Sequence, residues 1–155
     1  IEHVDIPSEL RTSADVRGAG WVEAAALVAL ASGQTSRIQL PDSGWAEAEV
    51  TDDAILVRVG AGEVLDETAL RSYCIGAAHM GYSLVMGEAL AVDTDGIVQD
   101  LTVRSFGVVR ASDTPTISIE IADETGPAVN ASDAVFAAVA AATALHHDAT
   151  TWPHR

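Results

Sequence analysis

Two hydrophobic periods alternate along this 155-residue chain. Residues 21–32, WVEAAALVALAS, have the Ala and Leu content and the length of a helix, and Gly33 supplies its stop. The period then falls to two. AEAEV (46–50) and AILVRV (54–59) carry strand-type alternation around Thr51-Asp52-Asp53, which predicts a hairpin ended by Gly60 and Gly62. From Asp66 a second helical stretch begins, ETALRSYCIGAAHMGYSLVMGEA, with small residues at Gly76, Ala77, Ala78 and Gly81. A glycine inside a helix costs about 1 kcal/mol relative to Ala, so Gly76 and Gly81 call for a packing or ligand reason. A short strand near residues 90–92, an Asp95-Gly96 turn and IVQDLTV (97–103) predict a second hairpin, and TISIEIA (116–122) a further strand. The closing helix is SDAVFAAVAAATALH (132–146), opened by Ser132 or Asn130 as cap. It is apolar nearly all round, so it is expected between a sheet and a further surface, such as another chain. The tail from residue 148 is expected to be loosely ordered.

These elements predict an α/β fold of the α+β type: a mixed or antiparallel sheet with two to three long helices packed on it. No repeat, charge block or low-complexity linker interrupts the chain, so a single domain over residues 1–155 is expected. No apolar run approaches the roughly 18 to 20 residues that span a bilayer.

Charge narrows the functional classes. Eight basic residues, all arginine, stand against 23 acidic ones, for a formal charge of -15. Phosphate backbones and anionic lipid surfaces are therefore poor partners. Without lysine the chain forms no Schiff base and has no Walker-type lysine. Cys74 is the one cysteine, which excludes an internal disulfide and cysteine-built zinc or iron–sulfur sites, and fits a cytoplasmic location.

The polar clusters are weak as catalytic signals. His146-His147-Asp148 contains metal-ligand chemistry, but adjacent helical residues point about 100° apart, so a solvated helix end is the better reading and no metal site is expected. His79 reads as a satisfied core histidine. No nucleophile elbow surrounds Ser83, Ser105 or Ser112, Gly60-Ala61-Gly62 lacks a dinucleotide loop's third glycine, and Asp93-Thr94-Asp95-Gly96 reads as a hairpin turn. Arg17, before Gly18-Ala19-Gly20, is either an exposed residue of a glycine turn or a bidentate contact to an anion at a helix start.

Two stretches resemble the molybdopterin-binding large subunit of the xanthine dehydrogenase and aldehyde oxidase family, in its carboxy-terminal part. LRTSADVRGAGWVEAAALVALA (10–31) is similar to the family's R-G-x-G turn and following helix, with Arg17, Gly18 and Gly20 in place. SYCIGAAHMGYSLVMGEALAVDTDGIVQDLTVRSFGVVRASDTPTISIEI (72–121) resembles its N-Q-I-E-G-x-x-x-Q-G helix and sequel, with Gly76, Gly81 and Glu88 in register. The resemblance extends over residues 10–31 and about 47–145, and the interval between the two stretches is much shorter than in the family.

The resemblance implies a molybdenum hydroxylase with a molybdopterin cofactor, held here by Arg17, Gly18, Gly20, Gly76 and Gly81. It also implies iron–sulfur and flavin partner subunits. The chain departs where the chemistry is densest: Tyr73 and Met80 replace two glutamines, and Ile75 replaces a glutamate. A phenol or a thioether does not reproduce an amide's paired donor and acceptor. The family's catalytic base is a glutamate before the closing helix. Glu124 is its nearest counterpart, but it follows Asp123 where the family has glycine; aligned without a gap, Gly126 takes the position and no base remains. Two expectations stand. The chain is a shortened oxidoreductase piece, catalytically incomplete alone, or it is a non-catalytic binding or scaffold domain that has lost the cofactor ligands. Either one anticipates a homo-oligomer or a place among other subunits.

Overall fold

The computed structural model describes residues 18–99 and 102–151. In chain order the elements are α1 (Gly18–Ser32), β1 (Ile38–Gln39), β2 (Trp45–Val50), β3 (Ala54–Gly60), α2 (Glu67–Met86), β4 (Ala91–Val92), β5 (Val98–Gln99), the single turn α3 (Val103–Phe106), a 3-10 turn (Ala111–Asp113), β6 (Thr116–Ile121) and α4 (Ser132–His146). The fold is of the α+β class, with α1, α2 and α4 as its long helices.

The main sheet has the order β1-β2-β3-β6. β1–β2 and β2–β3 are antiparallel, whereas β3–β6 is parallel. The β2–β3 hairpin is set by Thr51, whose hydroxyl accepts the Ala54 N–H at 3.1 Å while its own N–H donates to the Ala54 carbonyl at 2.8 Å. Register then brings Ala46, Ala48 and Val50 opposite Val59, Val57 and Ile55, and those three beside Ile121, Ile119 and Ile117. A period of two puts all nine on one face, where they join the main apolar cluster. The parallel pairing needs a long crossover, and α2 lies within it.

α4 fills the centre. From Ala134 to Ala144 every residue except Phe136 is buried, and α1, α2 and strand β2 all pack against it. The surface beyond the sheet is therefore supplied by the chain's own α1 and α2, where the sequence suggested another chain. Its buried hydroxyl is satisfied internally, Thr143 Oγ1 donating to the Val139 carbonyl at 2.7 Å. Neither Ser132 nor Asn130 is the N-cap. Ala131 holds that position with no side-chain cap, itself fully buried, and Asn130 Oδ1 accepts the Ser132 N–H at 3.0 Å. Beyond the helix, Ala149 is fully buried and its N–H donates to the Ala144 carbonyl at 2.9 Å.

The second hairpin is much shorter than the sequence pattern predicts. β4 and β5 pair over two residues each, forming a separate two-stranded sheet. Asp93 organises the turn: Oδ1 accepts the N–H groups of Ile97 and Asp95 at 2.9 and 3.0 Å, and Oδ2 accepts from Gln99 at 2.6 Å. The Ile97 N–H is the largest of the influences that hold this exposed carboxyl below the usual aspartate range. Strand pairing does not reach residue 103 because Thr102 and Ser105 form a reciprocal capping box that starts α3.

Candidate functional site

The sequence's two helical glycines occupy α2, and the fold gives them opposite surroundings. α2 begins at Asp66, whose Oδ1 accepts the Ala69 N–H at 2.9 Å, and its first turn carries an exposed Glu67–Arg71 pair at 2.7 Å. Cys74, Ala77, Ala78, Gly81, Tyr82 and Val85 form its buried side. A Cβ at Gly81 would lie 2.6 Å from the Phe136 carbonyl and 3.0 Å from the Ala140 nitrogen, so Gly81 lets the α2 and α4 backbones approach closely. A Cβ at Gly76 would meet nothing within 4 Å. Packing inside the described chain thus accounts for Gly81 and leaves Gly76 facing outward.

Around Gly76 lies a shallow groove of about 290 Å³, in which Tyr73, Gly76 and Met80 of α2 face Ser132, Asp133 and Phe136 of α4. Tyr73 and Met80 are 64% and 52% exposed, and Ile75 beside them is 42% exposed. The groove offers hydroxyls, a thioether and one carboxylate, with no arginine, histidine or amide side chain along its lining. The nearby guanidinium of Arg71 is committed to Glu67 and to the Ile119 carbonyl. A molybdopterin needs amide-type partners for its pterin and positive charge for its phosphate. The residues present do not fit that group, and Asp133 opposes its charge.

Glu124 is elsewhere. It follows β6 in an exposed loop, and its Oε1 accepts the Trp45 indole N–H at 2.9 Å. The indole lies against Gly60, where any Cβ would collide with it, and the Arg37 guanidinium stacks 3.7 Å from its ring centre. Glu124 lines a separate depression of about 410 Å³ with Glu63, Glu67 and Arg71, so the structure does not bring it to the Gly76 groove. The outward sheet face around Trp45 carries ion pairs Arg37–Glu47 at 2.8 Å and Arg58–Glu120 at 3.2 Å. Sequence reasoning missed this Trp45–Glu124–Arg37 assembly. The sequence marked AEAEV as a strand, but no local signal linked Trp45 to a residue 79 positions later.

Gly18 and Gly20 lie in the first turn of α1, which packs on α4. Arg17 falls outside the described residues. His79 Nε2 lies 2.9 Å from the Val109 carbonyl and donates to it, while Ser83 Oγ accepts the Val109 N–H at 3.0 Å. Both residues clip the extended segment before the 3-10 turn onto α2. His146 Nε2 pairs with Asp52 Oδ1 at 2.9 Å, tying the end of α4 to the β2–β3 turn, and its ring meets His147 edge-on at 4.7 Å. That hydrogen bond is the first cause of a lowered Asp52 carboxyl. Burial pushes the Cys74 thiol up to about 11, which makes it a poor nucleophile. No group of three or more His, Cys, Asp or Glu among the described residues is arranged to hold a metal ion. No helix among them is long and apolar enough to cross a membrane.

No protein-family profile and no curated protein matches the sequence. Solved structures do. The chain is similar to Cu,Mo-CO dehydrogenase in its carbon monoxide reduced state and to reconstituted CO dehydrogenase from Oligotropha carboxidovorans. Each match has a TM-score of 0.56 at 12% identity and covers 68% of this chain. The chain spans about 15% of the length of either structure. At this identity the likeness is one of fold: this chain has the architecture of a segment of a molybdenum-containing dehydrogenase.

Proposed function

We propose that the chain is a molybdenum-hydroxylase-type segment, akin to the carboxy-terminal part of the xanthine dehydrogenase and aldehyde oxidase large subunit, that contributes architecture to an oxidoreductase assembly and is inactive alone. The observation that carries this reading is the Gly76 groove. A glycine in mid-helix faces open space between exposed Tyr73 and Met80, so the face is open to something the described residues do not supply. On this reading another polypeptide supplies the cofactor's main grip, the groove having neither cation nor amide, with Arg17, Gly18 and Gly20 as this chain's remaining candidate contacts. Glu124, engaged by Trp45, is at most a base after that bond is exchanged for a substrate contact.

A specific observation also favours the scaffold reading: the substitutions at Tyr73, Ile75 and Met80 leave an apolar surface suited to protein contact. Molybdenum analysis of the isolated chain and of its affinity-purified complex, from cells grown with molybdate, separates the two. The oxidoreductase reading expects metal and releasable pterin in the complex and none in the lone chain. Their absence from both rejects it in favour of the scaffold.

A further inference from the structure

The outer face of the main sheet carries charge in a regular order. Register sets Glu47 of β2 opposite Arg58 of β3, and Arg58 opposite Glu120 of β6. Arg37, just before β1, pairs with Glu47 at 2.8 Å, and Arg58 pairs with Glu120 at 3.2 Å. One row across the sheet therefore reads plus, minus, plus, minus, each charge set beside its opposite. The row ends at Glu120, whose side chain is 72% exposed on the last strand of the sheet. Among the described residues β6 pairs with β3 alone.

The backbone of β6 is open on the same side. The Thr116 N–H donates to the Asp53 carbonyl at 2.9 Å and the Ala122 N–H to the Val59 carbonyl at 2.8 Å, so the even-numbered residues of β6 turn their backbone groups toward β3. Ile117, Ile119 and Ile121 turn theirs away. Arg71 of α2 donates to the Ile119 carbonyl, a guanidinium N–H taking the place that a neighbouring strand's N–H would fill. The side chains of these three isoleucines pack against the core cluster yet are only partly buried. Glu63, Glu67, Asp123 and Glu124 line the depression at Ile121, and the one cation there, Arg71, is already committed to Glu67 and the carbonyl.

These features specify an occupant. An open strand edge is a template for another strand. A strand laid beside β6 would set alternate apolar side chains next to Ile117, Ile119 and Ile121 and the others next to Ser118 and Glu120, so continuing the row calls for a cation beside Glu120. A second copy of β6, TISIEI, offers glutamate and no cation, and it would come on a chain of 23 acidic and 8 basic residues. We propose that the free edge of β6 is a strand-addition site for an extended basic segment of a partner polypeptide, with β-branched residues toward the core and an arginine or lysine beside Glu120. The inference is independent of any cofactor or oxidoreductase role.

Amide hydrogen exchange followed by NMR on the full chain tests it. The probe is a short blocked peptide in which valine alternates with threonine and the central threonine is replaced by arginine. Without peptide, the Ser118 and Glu120 amides should be protected, and those of Ile117, Ile119 and Ile121 should exchange at least about tenfold faster. Saturating peptide should slow the three isoleucine amides by about tenfold or more. The same peptide with glutamate at its centre should bind about tenfold more weakly, and Glu120→Arg should erase that preference. Glu49→Arg, an equal change of charge elsewhere on the same sheet face, should keep it. Both positions are exposed, so thermal unfolding of either variant should stay close to that of the parent. Isoleucine amides already slow in the free chain overturn the proposal, as does a peptide that leaves them fast. So does a preference for arginine that Glu120→Arg retains, or one that Glu49→Arg abolishes.

Discussion

α4 and α1 are near twins in sequence and opposites in setting. Both are 15 residues long, rich in alanine and apolar on almost every side. α4 is enclosed by the sheet, α1 and α2, whereas among the described residues α1 is covered along one side and exposed along the other. The difference teaches that an all-round apolar pattern states how much cover a helix needs without stating who provides it. For α4 the described residues provide it all; for α1 they provide it along one side.

Matched substitutions sharpen this contrast. Val139→Asp in α4 places a carboxylate at a fully buried site with no partner, and should remove most of the roughly 5–15 kcal/mol that holds a domain folded, seen as loss of cooperative thermal unfolding. Val28→Glu in α1 should change the stability of the dilute monomer by no more than about 0.5 kcal/mol. Equal losses would break the comparison. Next in size, Gly81→Val drives a side chain into the α4 backbone and should cost about 1–3 kcal/mol or more in urea unfolding. Gly76→Ala should go the other way, stabilising the isolated chain by about 0.5–1 kcal/mol, because the methyl meets open space and the helix loses its mid-span glycine. A destabilised Gly76→Ala chain would mean that something already fills the groove.

The smallest effect concerns the far end of α4. Asp52 is lowered by its bond from His146, so its contribution is present above the ordinary aspartate value of about 3.9 and is lost as pH falls through the lower folded value. Asp52→Asn should flatten that part of the acid-unfolding curve and lower stability by a small constant amount above about pH 5, where the contribution is fully present. An unchanged acid limb would remove the clasp from the account.

Much of the architecture was legible in the sequence because it rests on local periodicity. The bounds of α4, the β2–β3 hairpin and the start of α2 at Asp66 follow from helical and two-residue patterns with their turn residues. What escaped was non-local or counter-local. The parallel partnership of β3 with β6 is set by packing over α2, and no pattern within either strand announces it. The Thr102–Ser105 box overrode a strand-like run. Of the site residues, Gly81 needed a reason and has one in α4, while Gly76 needed one and has none inside the described chain. The placement of Glu124 under the Trp45 indole depends on two segments meeting across the sheet, which sequence spacing cannot encode.

The central position of α4 also orders events in time. Among the described elements it is made last, yet α1, α2 and the sheet all lean on it. Until residue 146 clears the ribosome, the earlier elements have no common centre, and their alanine and isoleucine surfaces stay open to chaperones or to each other. A chain that stopped before α4 would therefore yield an uncollapsed polymer in place of a smaller protein.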